Sequence, residues 1–201
     1  MRNQQLIDLS NVRKFFLPFH YVESSQALNS QLGDTLLSWL ENYAGWKLVE
    51  TNFYEQYEFS FLDAKLPSEL AFLNSRDHLR CVARQVEAAF SVKLTEKVDF
   101  TAHKLISGQR IRIHNDHIPG HETHRLLIQL NRGWKDENGG MLIFFNSQDM
   151  NDIHKIFRPL HNSAVGFSIS PHSLHAVSTI YGGERFTLVY SFYQQLDERP
   201  S

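Results

Sequence analysis

Beyond about residue 95 the chain becomes a succession of short β-type runs, and this constrains its fold more than any other feature. Branched and aromatic residues dominate segments 98–106, 111–116, 126–130, 141–145, 164–169, 174–180 and 186–193, which turn residues separate. Seven short strands at this spacing predict a sandwich or barrel. Tyr181-Gly182-Gly183-Glu184 predicts a hairpin joining the last two. Ahead of residue 95 the periodicity is helical. Leu28, Leu32, Leu36 and Leu40 recur every four residues within 24–43, with Ser24 or Ser25 as the N-cap. Leu79, Val82, Val86 and Phe90 repeat the pattern over 75–90, and residues 47–52 and 57–61 read as short strands. The expectation is a mostly β chain with supporting helices. It forms one domain over 1–201, with support and outer strands in 1–95 and the β core in 96–193.

Composition narrows the chemistry. With 20 Lys+Arg against 22 Asp+Glu and a formal net charge of -2, the chain has no basic footprint for nucleic acid. Residues 1–11 are polar and the apolar run 15–19 is too short to span a bilayer, so a soluble cytoplasmic protein is expected. The single cysteine, Cys81, excludes a disulfide framework and any multi-cysteine zinc module. Histidine is the unusual residue: 11 in all, nine of them between His103 and His175. One thiol beside many imidazoles suggests a metal site built without sulfur.

The sharpest local motif is His114-Asn115-Asp116. On a strand, residues i and i+2 share a face, so this imidazole and carboxylate converge. A second histidine would complete the 2-His-1-carboxylate set that holds Fe(II) with positions open. Chance alone supplies about half such a dyad in a chain of this composition, so its company decides the matter. His175 lies in the run 174–180, and Arg185 opens the next run. Arg185, Thr187, Val189 and Ser191 share one face, while Phe186, Leu188, Tyr190 and Phe192 form an apolar other face. A guanidinium with a neighbouring hydroxyl inside a β cavity is a receptor for a carboxylate, since it can bind both oxygens.

From His103 to Tyr193 the chain resembles the 2-oxoglutarate/Fe(II)-dependent oxygenases, most closely their prolyl-hydroxylase-like branch. The matching stretches are Ser107-Gly108, His114-Asn115-Asp116, Leu130-Asn131 with Trp134, and Gly139-Gly140-Met141-Leu142-Ile143-Phe144. Pro159, Ala164-Val165-Gly166-Phe167 and Leu174-His175-Ala176-Val177 follow in order, with Arg185 ten residues after His175. The resemblance implies a double-stranded β-helix (jelly roll, cupin-like) core braced by N-terminal α-helices. It implies His114, Asp116 and His175 as catalytic iron ligands, Arg185 as partner of the far carboxylate of 2-oxoglutarate, and Thr187 as a supporting hydroxyl. Gln129 stands where many members carry a tyrosine that contacts that carboxylate, and it can donate a hydrogen bond there. Arg125 stands near where relatives often have a small hydroxyl residue. The implied cofactors are Fe(II), 2-oxoglutarate and dioxygen, with succinate and CO2 released as an unactivated C–H bond is hydroxylated. The implied substrate is an amino acid (free, peptidyl or carrier-bound) or a related small metabolite. Asp116, where halogenating relatives have glycine or alanine, implies hydroxylation. The competing reading is a cupin-like metal protein without 2-oxoglutarate, against which Arg185 argues.

Other residues have weaker expectations. His117, His121 and His124 sit in a polar loop that Pro119-Gly120 turns, which fits substrate gating better than a second zinc site. His103, His154 and His161 have no identifiable partner, and His172 reads as exposed or as lying behind His175. The polar stretch 146–152, overlapping the loop 147–156, is the candidate lid or substrate loop, and residues 51–66 a further cavity wall.

Overall fold

The computed structural model describes residues 7–195, so the reading of the extreme N-terminus lies partly outside the described residues. In chain order the elements are β1 (Arg13–Phe15), β2 (Tyr21–Ser24), α1 (Ser30–Asn42), β3 (Lys47–Glu50), β4 (Glu55–Ser60), α2 (Arg76–Phe90) and β5 (Leu94–Leu105). There follow β6 (Ile111–His114), β7 (His124–Gln129), β8 (Leu142–Phe145), β9 (Ile153–Phe157), β10 (Ala164–Ser168), β11 (His175–Val177) and β12 (Arg185–Gln194). No helix among the described residues is long and apolar enough to cross a membrane.

The strands form two antiparallel sheets. The larger runs β1-β2-β10-β7-β12-β5-β4-β3 and the smaller β6-β11-β8-β9. From β5 onward the chain passes back and forth between them, an arrangement consistent with a jelly roll. Alternation along each large-sheet strand decides what faces what. On β12, Phe186, Leu188, Tyr190 and Phe192 face outward, into one apolar cluster with Leu32, Leu36, Leu37 and Leu40 of α1 and Val82, Val86 and Phe90 of α2. The inner face meets the small sheet through a second cluster that includes Tyr21, Phe144, Phe157, Phe167 and Val189. Towards one end of this inner face the apolar residues give way to polar ones.

Four expectations need correction. α1 begins at Ser30, because Ser24 is engaged in β2 and Asn29 caps the helix, its side chain accepting from the amides of Gln31 and Leu32. Leu28, expected on the helix, is bridged to Ile7 before it. Residues 181–184 are not a hairpin turn: β11 pairs with β6 and β8, whereas β12 pairs with β5 and β7, so this segment carries the chain between sheets. The candidate lid is a short turn at 146–152 leading into β9, tied by Asn146 Nδ2 donating to Asp152 Oδ1 at 2.8 Å. Finally, β1, β2 and β9 escape the sequence pattern, because each is an edge element or lies next to one with mixed polarity, such as Ile-His-Lys-Ile-Phe in β9.

Candidate active site

Strand pairing places the two histidines. β6 and β11 are antiparallel with His114 directly opposite His175, and the two rings lie 4.2 Å apart between centroids. Phe53 packs on the His114 ring at 4.8 Å, and Phe167 packs on that of His175 at 4.9 Å. Each ring also has a fixed tautomer. Nδ1 of His114 donates to the Arg112 carbonyl at 2.8 Å, and Nδ1 of His175 to the Ser173 carbonyl at 2.7 Å. With Nδ1 protonated in a neutral ring, Nε2 offers a lone pair, as a metal-ligating histidine requires.

Asp116 joins them by a route different from the strand alternation expected of it. β6 ends at His114, and Asp116 is in the left-handed region at φ 58. Asn115 organises the bend: its Oδ1 accepts from the amide of His117 at 3.0 Å and its Nδ2 donates to the Pro171 carbonyl at 3.1 Å. Ser173 Oγ in turn donates to the Asn115 carbonyl at 2.8 Å, fastening the turn to the segment that carries His175. Asp116 Oδ1 then lies 3.2 Å from His114 Nε2, and Oδ2 lies 3.1 Å from His175 Nε2. One ligand atom from each residue falls within 4.8 Å of the others, the only such group of three or more metal-ligating side chains among the described residues. Two imidazole lone pairs facing a carboxylate form a donor set suited to a divalent cation. Burial would raise the Asp116 carboxyl, but Arg125 and the two histidines outweigh it and hold the group well below its ordinary range. Burial, reinforced by the His114 ring, keeps His175 below the usual imidazole value.

These residues open on a cavity of about 350 Å³ between the sheets, within the size range of small-ligand sites. Arg185 lies on its wall at 3% exposure, with no carboxylate partner among the described residues. Its side chain donates once, from one terminal nitrogen to Thr187 Oγ1 at 2.9 Å, while its buried Nε has no partner. Burial lowers this guanidinium to about 10. Such an uncompensated cation calls for an anionic ligand. The Thr187 hydroxyl in turn donates a hydrogen bond to Gln129 Oε1 at 3.0 Å. Gln129, buried at 2% exposure, is not among the residues lining the cavity and reaches it only through Thr187.

Several cavity residues were not legible from sequence. Arg125 faces inward and bridges the carboxylates of Asp116 and Glu122. His103, without a partner by sequence, lines the cavity beside Gln56 and Glu58 of β4. Burial, then the charges of Arg125 and Arg185, depress it to about 3 against a weaker upward pull from Asp116. The signal was the alternation Asp99, Thr101, His103 along β5, an inward polar face like that of β12. Phe53, Tyr54, Gln56 and Glu58 make a wall from the segment expected to supply one. His121 lines the cavity, while His124 packs against Phe90 at 5.0 Å. His172 is exposed, and no residue of 146–152 reaches the cavity.

Residues 100–192 match the family model described as the 2OG-Fe(II) oxygenase superfamily. The match begins within β5 and ends within β12, so it spans the donor set and Arg185. Enzymes of this family use Fe(II), 2-oxoglutarate and dioxygen, and the His114, Asp116 and His175 set fits that requirement. No curated protein sequence matches the chain. Among solved structures, the chain is similar to a Pseudomonas putida prolyl-4-hydroxylase at 18% identity and a TM-score of 0.70, covering 87% of this chain and 92% of that one. It is also similar to a Trichoplax adhaerens prolyl hydroxylase, solved with a hypoxia inducible factor peptide fragment. There the identity is 11% and the TM-score 0.66, over 86% of this chain and 83% of that one. A viral collagen prolyl hydroxylase from Paramecium Bursaria Chlorella virus-1, solved with 2OG, gives 14% and 0.61, over 88% and 96%. At these identities the likeness shows the fold.

Proposed function

We propose that the cavity hydroxylates an unactivated C–H bond of an amino acid, free, peptidyl or carrier-bound, or of a related small metabolite. 2-Oxoglutarate and dioxygen are consumed, and succinate and CO2 released. The observation that carries this reading is Arg185, a buried guanidinium without a counterion on the same cavity as the three-residue donor set. Nε2 of His114, Nε2 of His175 and the Asp116 carboxylate hold the iron, whose bound form supplies the oxidative chemistry. Arg185 and Thr187 grip the far carboxylate of 2-oxoglutarate, with Gln129 fixing the direction of the Thr187 hydroxyl. Phe53 and Phe167 exclude water from the histidine faces and hold their orientation. The helices α1 and α2 brace the outer face of the large sheet, keeping β12 and therefore Arg185 in register. A cupin-like centre without 2-oxoglutarate would leave Arg185 with no anionic partner among the described residues.

The decisive experiment measures succinate release by the purified protein with Fe(II), 2-oxoglutarate and a substrate panel, with mass spectrometry for a gain of one oxygen atom. Asp116→Ala is expected to abolish coupled succinate formation. Absence of both 2-oxoglutarate binding and turnover in the unaltered protein would overturn the proposal.

A further inference from the structure

The cavity walls are not electrically neutral. Four carboxylates line it (Glu58, Asp99, Asp116 and Glu122) against two guanidiniums, Arg125 and Arg185. An iron dication and a 2-oxoglutarate dianion cancel, so the loaded oxygenase retains an excess of two negative charges facing its substrate. The excess has a location. Arg125 neutralises Asp116 and Glu122 in part, and Asp99 has Lys97 at 4.0 Å with the Tyr193 hydroxyl donating to it. Glu58 has no cationic partner among the described residues. Lys47 stands opposite it on β3 without forming an ion pair, and the basic group that does approach is His103, with Nε2 3.8 Å away and its ring held neutral by burial.

The surroundings of Glu58 are built to present acceptors. Gln56 is 2% exposed and lines the cavity. Its Nε2 donates to Glu58 Oε2 at 2.9 Å and faces His103 Nδ1 at 3.2 Å. Two acceptors on that nitrogen fix the orientation of the amide, and the buried Oε1 is left without a partner among the described residues. His103 Nδ1, accepting from Gln56, places the ring proton on Nε2, 3.3 Å from Thr101 Oγ1. Glu122 Oε2 is likewise buried and unpartnered. The phenol of Tyr54 lines the same cavity, and burial and then the Glu58 charge raise its pKa. Unmet buried acceptors, an uncompensated carboxylate and an aromatic face are what an ammonium or guanidinium group requires. The position is also distinct from the 2-oxoglutarate anchor. Glu58 pairs with His103 and His103 with Thr187, so two strand spacings, roughly 10 Å, separate the backbones of Glu58 and Thr187.

We propose that Glu58, Gln56 and Tyr54 form a cation-recognising subsite, and that the substrate carries an ammonium or guanidinium group seated there. This deepens the oxygenase reading and rests on it only for the chemistry that follows binding.

The test is anaerobic calorimetric titration of the full chain, carried out twice: with Fe(II) and 2-oxoglutarate, and with neither. The probes are the Nα-acetyl amides of lysine, norleucine, arginine, citrulline and glutamate, with uncapped lysine and arginine alongside. Norleucine and citrulline match lysine and arginine in shape but lack the charge. The loaded protein is expected to bind a cationic probe at least 10-fold more tightly than its neutral counterpart, and Glu58→Gln to weaken that probe about 10- to 100-fold. Tight binding of the capped amides assigns the cation to a side chain. Binding of the uncapped forms alone assigns it to the α-ammonium. Glu58→Lys should reverse the preference towards the glutamate amide. Equal affinity for charged and neutral probes, or a Glu58→Gln protein that keeps the cation preference, overturns the subsite. If 2-oxoglutarate fails to bind while the cation preference persists in the unloaded protein, the subsite stands and the oxygenase reading falls.

Discussion

At the scale of single residues, the site contrasts a cation with no carboxylate partner among the described residues and one with two. Arg185 awaits a ligand, so Arg185→Ala should raise the apparent KM for 2-oxoglutarate about 100-fold, measured by succinate release. Arg185→Lys keeps the charge but loses the planar fork, and about a 10-fold rise is expected. Arg125 instead holds Asp116 and Glu122 together. Arg125→Ala leaves both part-buried carboxylates without their cation, and should destabilise the metal-free protein by about 2 kcal/mol in denaturant unfolding. Adding Mn(II) should recover part of that loss, because the metal supplies the missing positive charge at Asp116. A loss unchanged by Mn(II) would show that Arg125 acts by packing alone.

At the scale of elements, short contacts outside the strands decide where elements begin. Asn162, buried and at φ 64, accepts from the amides of Ala27 and Leu28 and donates to the Leu28 carbonyl just ahead of α1. Asn162→Ala strands those backbone groups and puts a poorer residue in the left-handed region, so a loss of about 2 kcal/mol is expected from thermal unfolding. Nothing in sequence marks this pairing, since its partners lie 134 and 135 positions apart. What was legible followed periodicity. The alternation along 186–193 separated the apolar face from Arg185, Thr187, Val189 and Ser191 as the structure does. The ends of elements were not legible, because side-chain caps such as Asn29 and bends such as that at Asp116 are local hydrogen-bond outcomes rather than patterns. The convergence of His114 and Asp116 was expected from strand alternation, but a left-handed bend produces it. His103, whose neighbours Gln56 and Glu58 come from β4, needed the sheet register to acquire a role.

At the scale of the whole molecule, buried histidines set the response to acid. His78 and His124 are lowered to about 4, His78 by burial and His124 by burial and then His20, while His103 is lowered to about 3. Each folded value lies below the unfolded value near 6.5, so between those limits the unfolded chain binds more protons. Stability is therefore complete above pH about 6.5 and is lost as the pH falls towards 4, by on the order of 3 kcal/mol for His78. The unfolding midpoint measured from pH 7.5 to 4 should fall accordingly, and His78→Gln should flatten its share of the slope. The sandwich also divides the chemistry between its two layers. His114 and His175 belong to the small sheet, whereas Arg185, Thr187, Glu58 and Gln56 belong to the large one. In the proposed reaction the separation of the layers is thus a calliper, with the metal-ligating histidines on one jaw and the cosubstrate and cation-binding side chains on the other. The setting screw is aromatic: Phe157 meets Tyr21 at 5.9 Å and Phe144 at 4.9 Å, without lining the cavity. Phe157→Leu should change that gap while touching neither ligand, and the readout is the yield of hydroxylated product per 2-oxoglutarate consumed. A yield that falls while 2-oxoglutarate affinity holds would make the fidelity of the reaction a property of how the two layers are spaced.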